Sequence, residues 1–360
     1  MPIRDGRGEP HAGQPLPTAF HVRPLVAVID KVRGAARVLP LLSLVAAVST
    51  AAFAADPAPG THRVAFISSG PAAANVENFA AFKQGLTENG YVEGRNLVLD
   101  VRWANGNVAS LPNLVNEALD AKPKVIISTG GAVTIDAVKA ATTSVPVIFI
   151  SGDPVAEKIV SNLARPGGNL TGFAVLAGDL EAKRLEVLRE LLPRAKRIAI
   201  IWNPTQVSIE PIIQAVEVAA KQLDFTLVPW KARNPSELDA AFAEIAKAKA
   251  DALFVVADPV LGFERARIVA FAKKNQLPAI YFWREFVEIG GLASYGTSLS
   301  DVYRRIGGYV DKILKGQKPG DLPIQQPTTF ELVVNRDTAR ELGLTIPLSV
   351  LQRADKVLPP

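Results

Sequence analysis

A chain of 360 residues with 48% hydrophobic and 21% charged residues has the length for two domains with buried cores, and is neither a disordered chain nor a polytopic membrane protein. Cys is absent, and the three histidines are His11, His21 and His62. That removes disulfides, zinc–thiolate sites, cysteine nucleophiles, Ser-His-Asp triads and histidine bases from nearly the whole folded region, and no cofactor is expected. The net charge of +5 falls to +2 once residues 1–54, with six Arg/Lys against three acids, are set aside; so neutral a body is a poor nucleic-acid binder.

Residues 1–30 are rich in Pro, Gly and Arg and carry no sustained period. Lys31, Arg33 and Arg37 then precede an apolar run at 38–48, and Ala52-Phe53-Ala54 supplies a small-x-small cleavage signature. A positive region, a short apolar core and an A-x-A site in that order predict a secretory signal peptide. The core is far shorter than the ~20 residues of a membrane-spanning helix, and Pro40, Ser43, Ser49 and Thr50 weaken an uncleaved anchor. A lipid anchor needs a Cys at the cleavage site. Residues 1–54 are therefore expected to be an N-terminal extension plus cleaved signal peptide, and the mature chain to be free in the periplasm. The stretch before Lys31 is long for a signal peptide, which points to a translation start downstream of Met1.

From residue 63, short Val- and Ile-rich runs alternate with helical patterns. Strands are expected at 64–67, 97–101, 125–128 and 145–150, with helices at 76–89, 111–121 and 132–141 between them. Phe79, Phe82 and Leu86 mark one face of the first helix and Gly90 its stop. Runs without polar alternation suit strands covered on both faces, as in a parallel sheet. The pattern restarts at Arg197, where Arg197-Ile-Ala-Ile-Ile-Trp202 echoes Arg63-Val-Ala-Phe-Ile-Ser68. After it come a helix at 209–222, a strand at 225–230, a helix at 235–249, a strand at 252–256, a helix at 263–275 and a strand at 279–282. Beyond 290 a strand at 292–295, a helix at 299–315, a strand at 329–334 and a short helix at 338–342 are too little for a third domain. The fold class is α/β, two Rossmann-like lobes with parallel sheets and a cleft between them. Lobe 1 is expected to comprise 61–174 plus 290–320, and lobe 2 175–289 plus 321–360.

In open parallel sheets ligands bind beyond the carboxyl ends of the strands, where helix N-termini point N–H groups outward. The first lobe offers Ser68, Ser69 and Gly70, then Thr129, Gly130 and Gly131, then Ser151, Gly152 and Asp153. The second offers Trp202 and Asn203, then Asp258, then Trp283, Arg284 and Glu285, and Tyr295 lies in the later strand. Hydroxyls and glycine amides suit an anion such as a carboxylate, while Asp153 and Asp258 could hold an ammonium or hydroxyl groups. A zwitterion satisfies both sets, and an amino acid is the simplest one. Each feature also has a plainer origin. Gly130-Gly131 can be a tight turn, and Asp153-Pro154 and Asp258-Pro259 helix caps with Pro at the first helical position. Trp202 can be packed core, and Arg284 the partner of a local acid; Tyr295 is ambiguous in the same way. The glycine-rich stretch 166–172 leads into a strand rather than out of one, so it is a turn and lobe boundary. No Walker-type Gly-Lys-Ser/Thr appears.

The stretch Gly85-Leu86…Asn89-Gly90-Tyr91-Val92-Glu93-Gly94-Arg95-Asn96-Leu97 resembles the corresponding stretch of bacterial ABC-transporter substrate-binding proteins. The resemblance continues through Pro146-Val147…Gly152-Asp153-Pro154-Val155, Leu163-Ala164-Arg165-Pro166-Gly167-Gly168-Asn169-Leu170-Thr171-Gly172 and Lys183-Arg184-Leu185-Glu186-Val187-Leu188. It returns at Gly290-Gly291-Leu292-Ala293-Ser294-Tyr295-Gly296 and Ala339…Leu342-Gly343-Leu344-Thr345-Ile346-Pro347. Together these motifs, covering 62–355, point to the branch that includes tryptophan and other aromatic amino-acid binders. The resemblance implies a type I periplasmic-binding fold with three crossovers. It also implies binding positions at Ser68-Ser69, Gly130-Gly131, Asp153 and Asp258, and delivery of a small solute to an inner-membrane permease with its ATPase. The sequence departs from the amino-acid binders at 281–286 and at Trp202-Asn203-Pro204, which leaves the ligand open.

The expected protein is thus a monomeric, non-enzymatic solute binder that closes around a small polar or zwitterionic molecule, without nucleic-acid partners. The alternatives are a periplasmic sensor for a receptor kinase, and an enzyme built on Asp153 or Asp258 with Lys. For the enzyme no nucleophile–base pair can be nominated.

Overall fold

The computed structural model describes residues 60–175, 179–207 and 209–359; the expected extension and signal peptide lie outside the described residues. The first lobe is built from β1 (His62–Ser68), α1 (Val76–Glu88), β2 (Leu97–Trp103), α2 (Leu111–Asp120), β3 (Val125–Thr129), α3 (Ala132–Ala141), β4 (Val147–Ser151) and β5 (Leu170–Ala174). Its strands are all parallel, in the order β2-β1-β3-β4-β5. Helices on both faces bury β3 and β4 along their whole length and β1 from Arg63 onward, which is why these runs show no polar alternation. Ser68 stands opposite both Trp103 and Thr129, so the central strands end level with one another.

The second lobe contains α4 (Asp179–Leu191), β6 (Arg197–Trp202), α5 (Ile209–Gln222), β7 (Thr226–Lys231), α6 (Pro235–Lys247), β8 (Ala252–Val255), α7 (Pro259–Phe263), α8 (Arg265–Lys274), β9 (Ala279–Tyr281), α9 (Arg284–Glu288) and β10 (Ala293–Thr297). The chain then forms α10 (Leu299–Leu314), β11 (Phe330–Asn335), α11 (Arg336–Glu341), α12 (Leu348–Arg353) and β12 (Lys356–Leu358). The second sheet runs β12-β11-β10-β9-β8-β6-β7, with β11 antiparallel to β10 and its other pairs parallel. Its strands β7-β6-β8-β9-β10 repeat the order of the first sheet, so the echoing strands β1 and β6 hold equivalent positions beside the point where strand order reverses. Pro229 is tolerated in β7 because that strand is an edge. The helix expected at 263–275 is two helices broken at Glu264, because Asp258 starts α7 five residues earlier.

The lobe boundaries differ from those expected. β10 belongs to the second sheet, where Ala293 and Ser294 pair with Ile280 and Tyr281 and the strand lies against β11. A short apolar strand is equally acceptable to either sheet, and only pairing decides. α10 packs in the first lobe, its stripe Leu299, Val302, Tyr303, Ile306, Val310 and Ile313 joining the core of Val64, Phe66, Phe82 and Ile127. Residues 319–325 remain there too: Thr171 Oγ1 donates to the Leu322 carbonyl at 2.9 Å, and the Gln325 amide to the Gly172 carbonyl at 3.0 Å. The chain therefore passes between lobes after β5, after β10 and after residue 325. Among the described residues no helix is long and apolar enough to cross a membrane.

α1 and α10 cross at Gly85 and Gly307. A Cβ on Gly85 would fall on the Arg304 carbonyl oxygen, and one on Gly307 would fall on the Gly85 backbone. Gly85→Ala and Gly307→Ala are each expected to cost about 1–3 kcal/mol by forcing the helices apart. Urea unfolding measures this, and unchanged midpoints would mean that the helices do not approach so closely.

Candidate functional site

The carboxyl ends of β1 and β3 form one wall. Ser68 Oγ accepts a bond from the Gly70 amide at 3.2 Å, and Ser69 Oγ donates to the Gly130 carbonyl at 2.8 Å. Gly130 and Gly131 have φ of 92° and 93°, the left-handed region that disfavours other residues, and a Cβ on Gly130 would also strike Ser69 Oγ. Gly131 caps α3 without a side chain. The buried hydroxyls of Ser128 and Thr134 and the Asn78 side-chain oxygen have no protein partner among the described residues. Buried polar groups without a protein partner call for an explanation, and a strand-order reversal is where open parallel sheets bind ligands. Ser151 and Asp153, one strand further on, are engaged locally. Ser151 Oγ donates to Glu157 at 2.6 Å, and the exposed Asp153 accepts from the amides of Val155 and Ala156 at 3.1 and 3.0 Å.

The facing wall comes from β6, β8 and β9. Asp258, 3% exposed, caps α7 by accepting from the Leu261 amide at 3.1 Å, and its other oxygen accepts from Asn203 Nδ2 at 3.2 Å. Burial raises its carboxyl to about 6, against the pull of those donors and the Val260 amide. The loop is held from behind by a buried ion pair between Glu181 and Arg184. Glu181 accepts from the Ala257 amide at 3.2 Å, and Arg184 donates to the Val255 carbonyl at 3.3 Å. Burial pushes Glu181 up and Arg184 down, and their mutual attraction opposes both shifts. Trp202 packs in the second core with Lys231 5.8 Å from its ring, and Tyr295 lies mid-strand with its ring 6.4 Å from Phe330.

The two walls touch. A Cβ on Gly70 would enter the Phe263 ring, and one on Gly131 would stand 3.2 Å from Pro259. Trp283 packs against both the first-lobe core and a core of the second. Arg284 reaches across to Ser300 on α10 at 2.6 Å and lies 3.7 Å from both Glu288 and Glu331. It lines a crevice of about 630 Å³ between α1, α9 and α10, together with Glu77, Glu288 and Arg304.

Ser68, Ser69, Gly130, Gly131, Asn203 and Asp258 are thus brought together, with Arg284 at the rim. Glu285 is among the strand-end candidates, but the sequence does not signal its burial. It is 5% exposed, and among the described residues no other residue donates to either carboxylate oxygen. Burial lifts its carboxyl to about 7, and its own backbone amide, then Arg284 and Arg265, only partly offset this. Tyr303, across the gap on α10, is raised to about 12 by burial, with Thr129 and the Glu285 charge as neighbours. Among the described residues no group of three or more acidic or histidine side chains is placed to hold a metal ion.

A family model described as ABC transporter substrate binding protein matches residues 63–358. A tyrosine-binding protein of Clostridioides difficile is 27% identical over 267 residues, which cover 73% of this chain and 75% of that one. A solved conserved domain protein from Vibrio cholerae is 28% identical with a TM-score of 0.75, covering 82% of this chain and 99% of that one. An ABC domain from Streptococcus pneumoniae, solved in complex with L-Trp, is 23% identical with a TM-score of 0.75, covering 83% and 100%.

Arg184→Met is expected to destabilise the protein by about 3–5 kcal/mol, because it leaves Glu181 charged, buried and unpaired; a denaturation midpoint close to wild type would refute this. Glu285 binds its proton more tightly when folded than when unfolded, so the stability it contributes is full at low pH and is lost as pH rises through about 7. Asp258 acts in the same sense up to about 6. Glu285→Gln is therefore expected to flatten the stability profile between about pH 4.5 and 7 and to be more stable than wild type at pH 8, by on the order of 3 kcal/mol. An unchanged profile would show that Glu285 is solvated.

Proposed function

The chain belongs to the family of ABC transporter substrate-binding proteins and has their type I periplasmic-binding fold; from that premise we propose that it is the periplasmic solute-binding component of an importer. It captures an amino acid, aromatic amino acids foremost, between the lobes and delivers it unaltered to an inner-membrane permease and its ATPase. It is proposed to act as a monomer, since both walls of the cleft come from one chain. The observation that carries this is the meeting of two sheets of like strand order at their reversal points. There Gly70 and Gly131 of one lobe, beside Ser69 and Gly130, face Phe263 and Pro259 of the other.

The chemistry is complementary on the two sides. Hydroxyls and uncapped amides of the first lobe suit a carboxylate, each helix terminus adding on the order of 0.3–1 kcal/mol. The rings of Phe263 and Trp283 suit an aromatic or apolar side chain. Ser68, Ser69, Gly130 and Gly131 are the proposed contacts of the first lobe. Asn203 and Asp258 shape the opposite wall, the aspartate chiefly as the cap of α7. Ser151, Asp153, Trp202, Arg284 and Tyr295 frame or support the cleft. The aromatic preference follows the curated tyrosine-binding relative and the neighbour solved with L-Trp. A ligand that touches both lobes stabilises the closed arrangement by its differential affinity for it, and the closed form is what a permease can distinguish.

A thermal-shift screen of the twenty amino acids tests the proposal. At 100-fold excess over Kd a true ligand adds about 2.7 kcal/mol, a rise of several degrees, and L-tyrosine or L-tryptophan is expected to head the ranking. Small-angle scattering is expected to show compaction with the same compound. No stabilisation by any amino acid would sink the proposed ligand class.

A further inference from the structure

Three acids stand beyond the ends of the strands, and two are already occupied. Asp153 accepts from the amides of Val155 and Ala156. Asp258 has one oxygen on the Leu261 amide and the other on Asn203. Glu285 is buried, and among the described residues no other residue donates to either of its oxygens. The cations nearest it point elsewhere: Arg284 serves Ser300, Glu288 and Glu331, and Arg265 Nη1 donates to the Gly262 carbonyl at 3.1 Å. A buried carboxylate without a cation is costly, so the partner that suits it comes from outside the chain.

Resting on the binding function proposed above, we propose that Glu285 receives the cationic amine of the ligand, so that the protein selects amino acids over the same acids lacking the amino group. The position fits. Trp283, two residues earlier, packs into cores of both lobes, and Tyr303 approaches Glu285 from the first lobe. A zwitterion is thereby oriented across the gap, its carboxylate toward Ser69 and the head of α3, its ammonium toward the second lobe. Only a molecule with both ends spans the two walls, which ties recognition to closure.

The role makes binding proton-linked. The charged and titratable groups around the carboxylate are Arg284 and Glu288 on α9, Arg265 on α8 and Tyr303 on α10, with Glu331 of β11 behind Arg284. Without ligand, burial holds Glu285 near 7; an ammonium beside it draws it down. Binding below that pH releases a proton, so affinity climbs with pH and levels off above about 7.

Isothermal titration calorimetry of the purified protein tests this, using L-tyrosine and L-tryptophan, each beside its desamino acid, 3-(4-hydroxyphenyl)propanoate and 3-indolepropanoate. Wild type is expected to prefer the amino acid by about 30-fold or more at pH 7.5. Its amino-acid affinity is expected to fall up to about tenfold per pH unit from 7 to 5. Glu285→Gln is expected to bind both members of a pair alike, with no pH slope. A wild type that binds the desamino acids equally well, or a Gln variant that keeps the preference and the slope, overturns the role of Glu285 and leaves solute binding standing. Absence of binding of either amino acid to wild type overturns the ligand class and this inference with it. Should the variant fail to fold, the wild-type pH series still tests the role: affinity that falls from about 7 downward supports Glu285, and affinity that stays level until about 6 assigns the proton to Asp258 and overturns it.

Discussion

Everything in the cleft depends on where α10 lies. The chain finishes β10 in the second sheet and lays the next helix on the first lobe, against α1, at a contact so close that only hydrogen fits at Gly85 and Gly307. That crossing brings Tyr303 to the ends of the first-lobe strands and Ser300 within reach of Arg284. Thr297 Oγ1 at the end of β10 donates to the Val175 carbonyl at 3.1 Å, and the Gln325 amide donates to the Gly172 carbonyl at 3.0 Å, so the ends of β5 and β10 and residue 325 are tied together where the chain changes lobes.

The polar groups of the cleft are not arranged for stability. Among the described residues, Ser128, Thr134, Asn78 and Glu285 are buried without partners in other residues, whereas Asp258, Ser151 and Asp153 nearby are fully occupied by caps and turns. Loss of native stability at unpaired polar groups is tolerated where they serve recognition. The Glu181–Arg184 pair shows the contrasting case. It too is buried, but each member holds backbone of the β8–α7 segment, so the pair sets the position of Asp258 and of the α7 residues that face the first lobe.

Much of the α/β order is legible in the chain because its signals are local. Val/Ile runs, helical spacing and Gly90, Gly316 and Gly343 as stops act over a few residues, and the strands and helices fall close to where they point. The echo of Arg63–Ser68 in Arg197–Trp202 marks strands in equivalent sheet positions. The bland origin of Asp258 as a cap with Pro at the first helical turn was equally local, and it is what the hydrogen bonds display. The membership of β10 was not legible, since Leu292-Ala-Ser-Tyr295 fits either sheet. Nor was the burial of Glu285, because an acid after Trp283-Arg284 looks like any helix-starting glutamate.

The amino-acid sequence alone determined the elements, the two-lobe class, the poverty in catalytic residue types and the loops from which a site could be drawn. These depend on backbone propensity and side-chain chemistry within short windows. Only the tertiary structure decided which lobe owns β10, which acids are already bonded and which carboxylate stands unpaired between the lobes. Those are properties of residues distant in sequence whose separation, burial and partners exist only once both sheets are assembled.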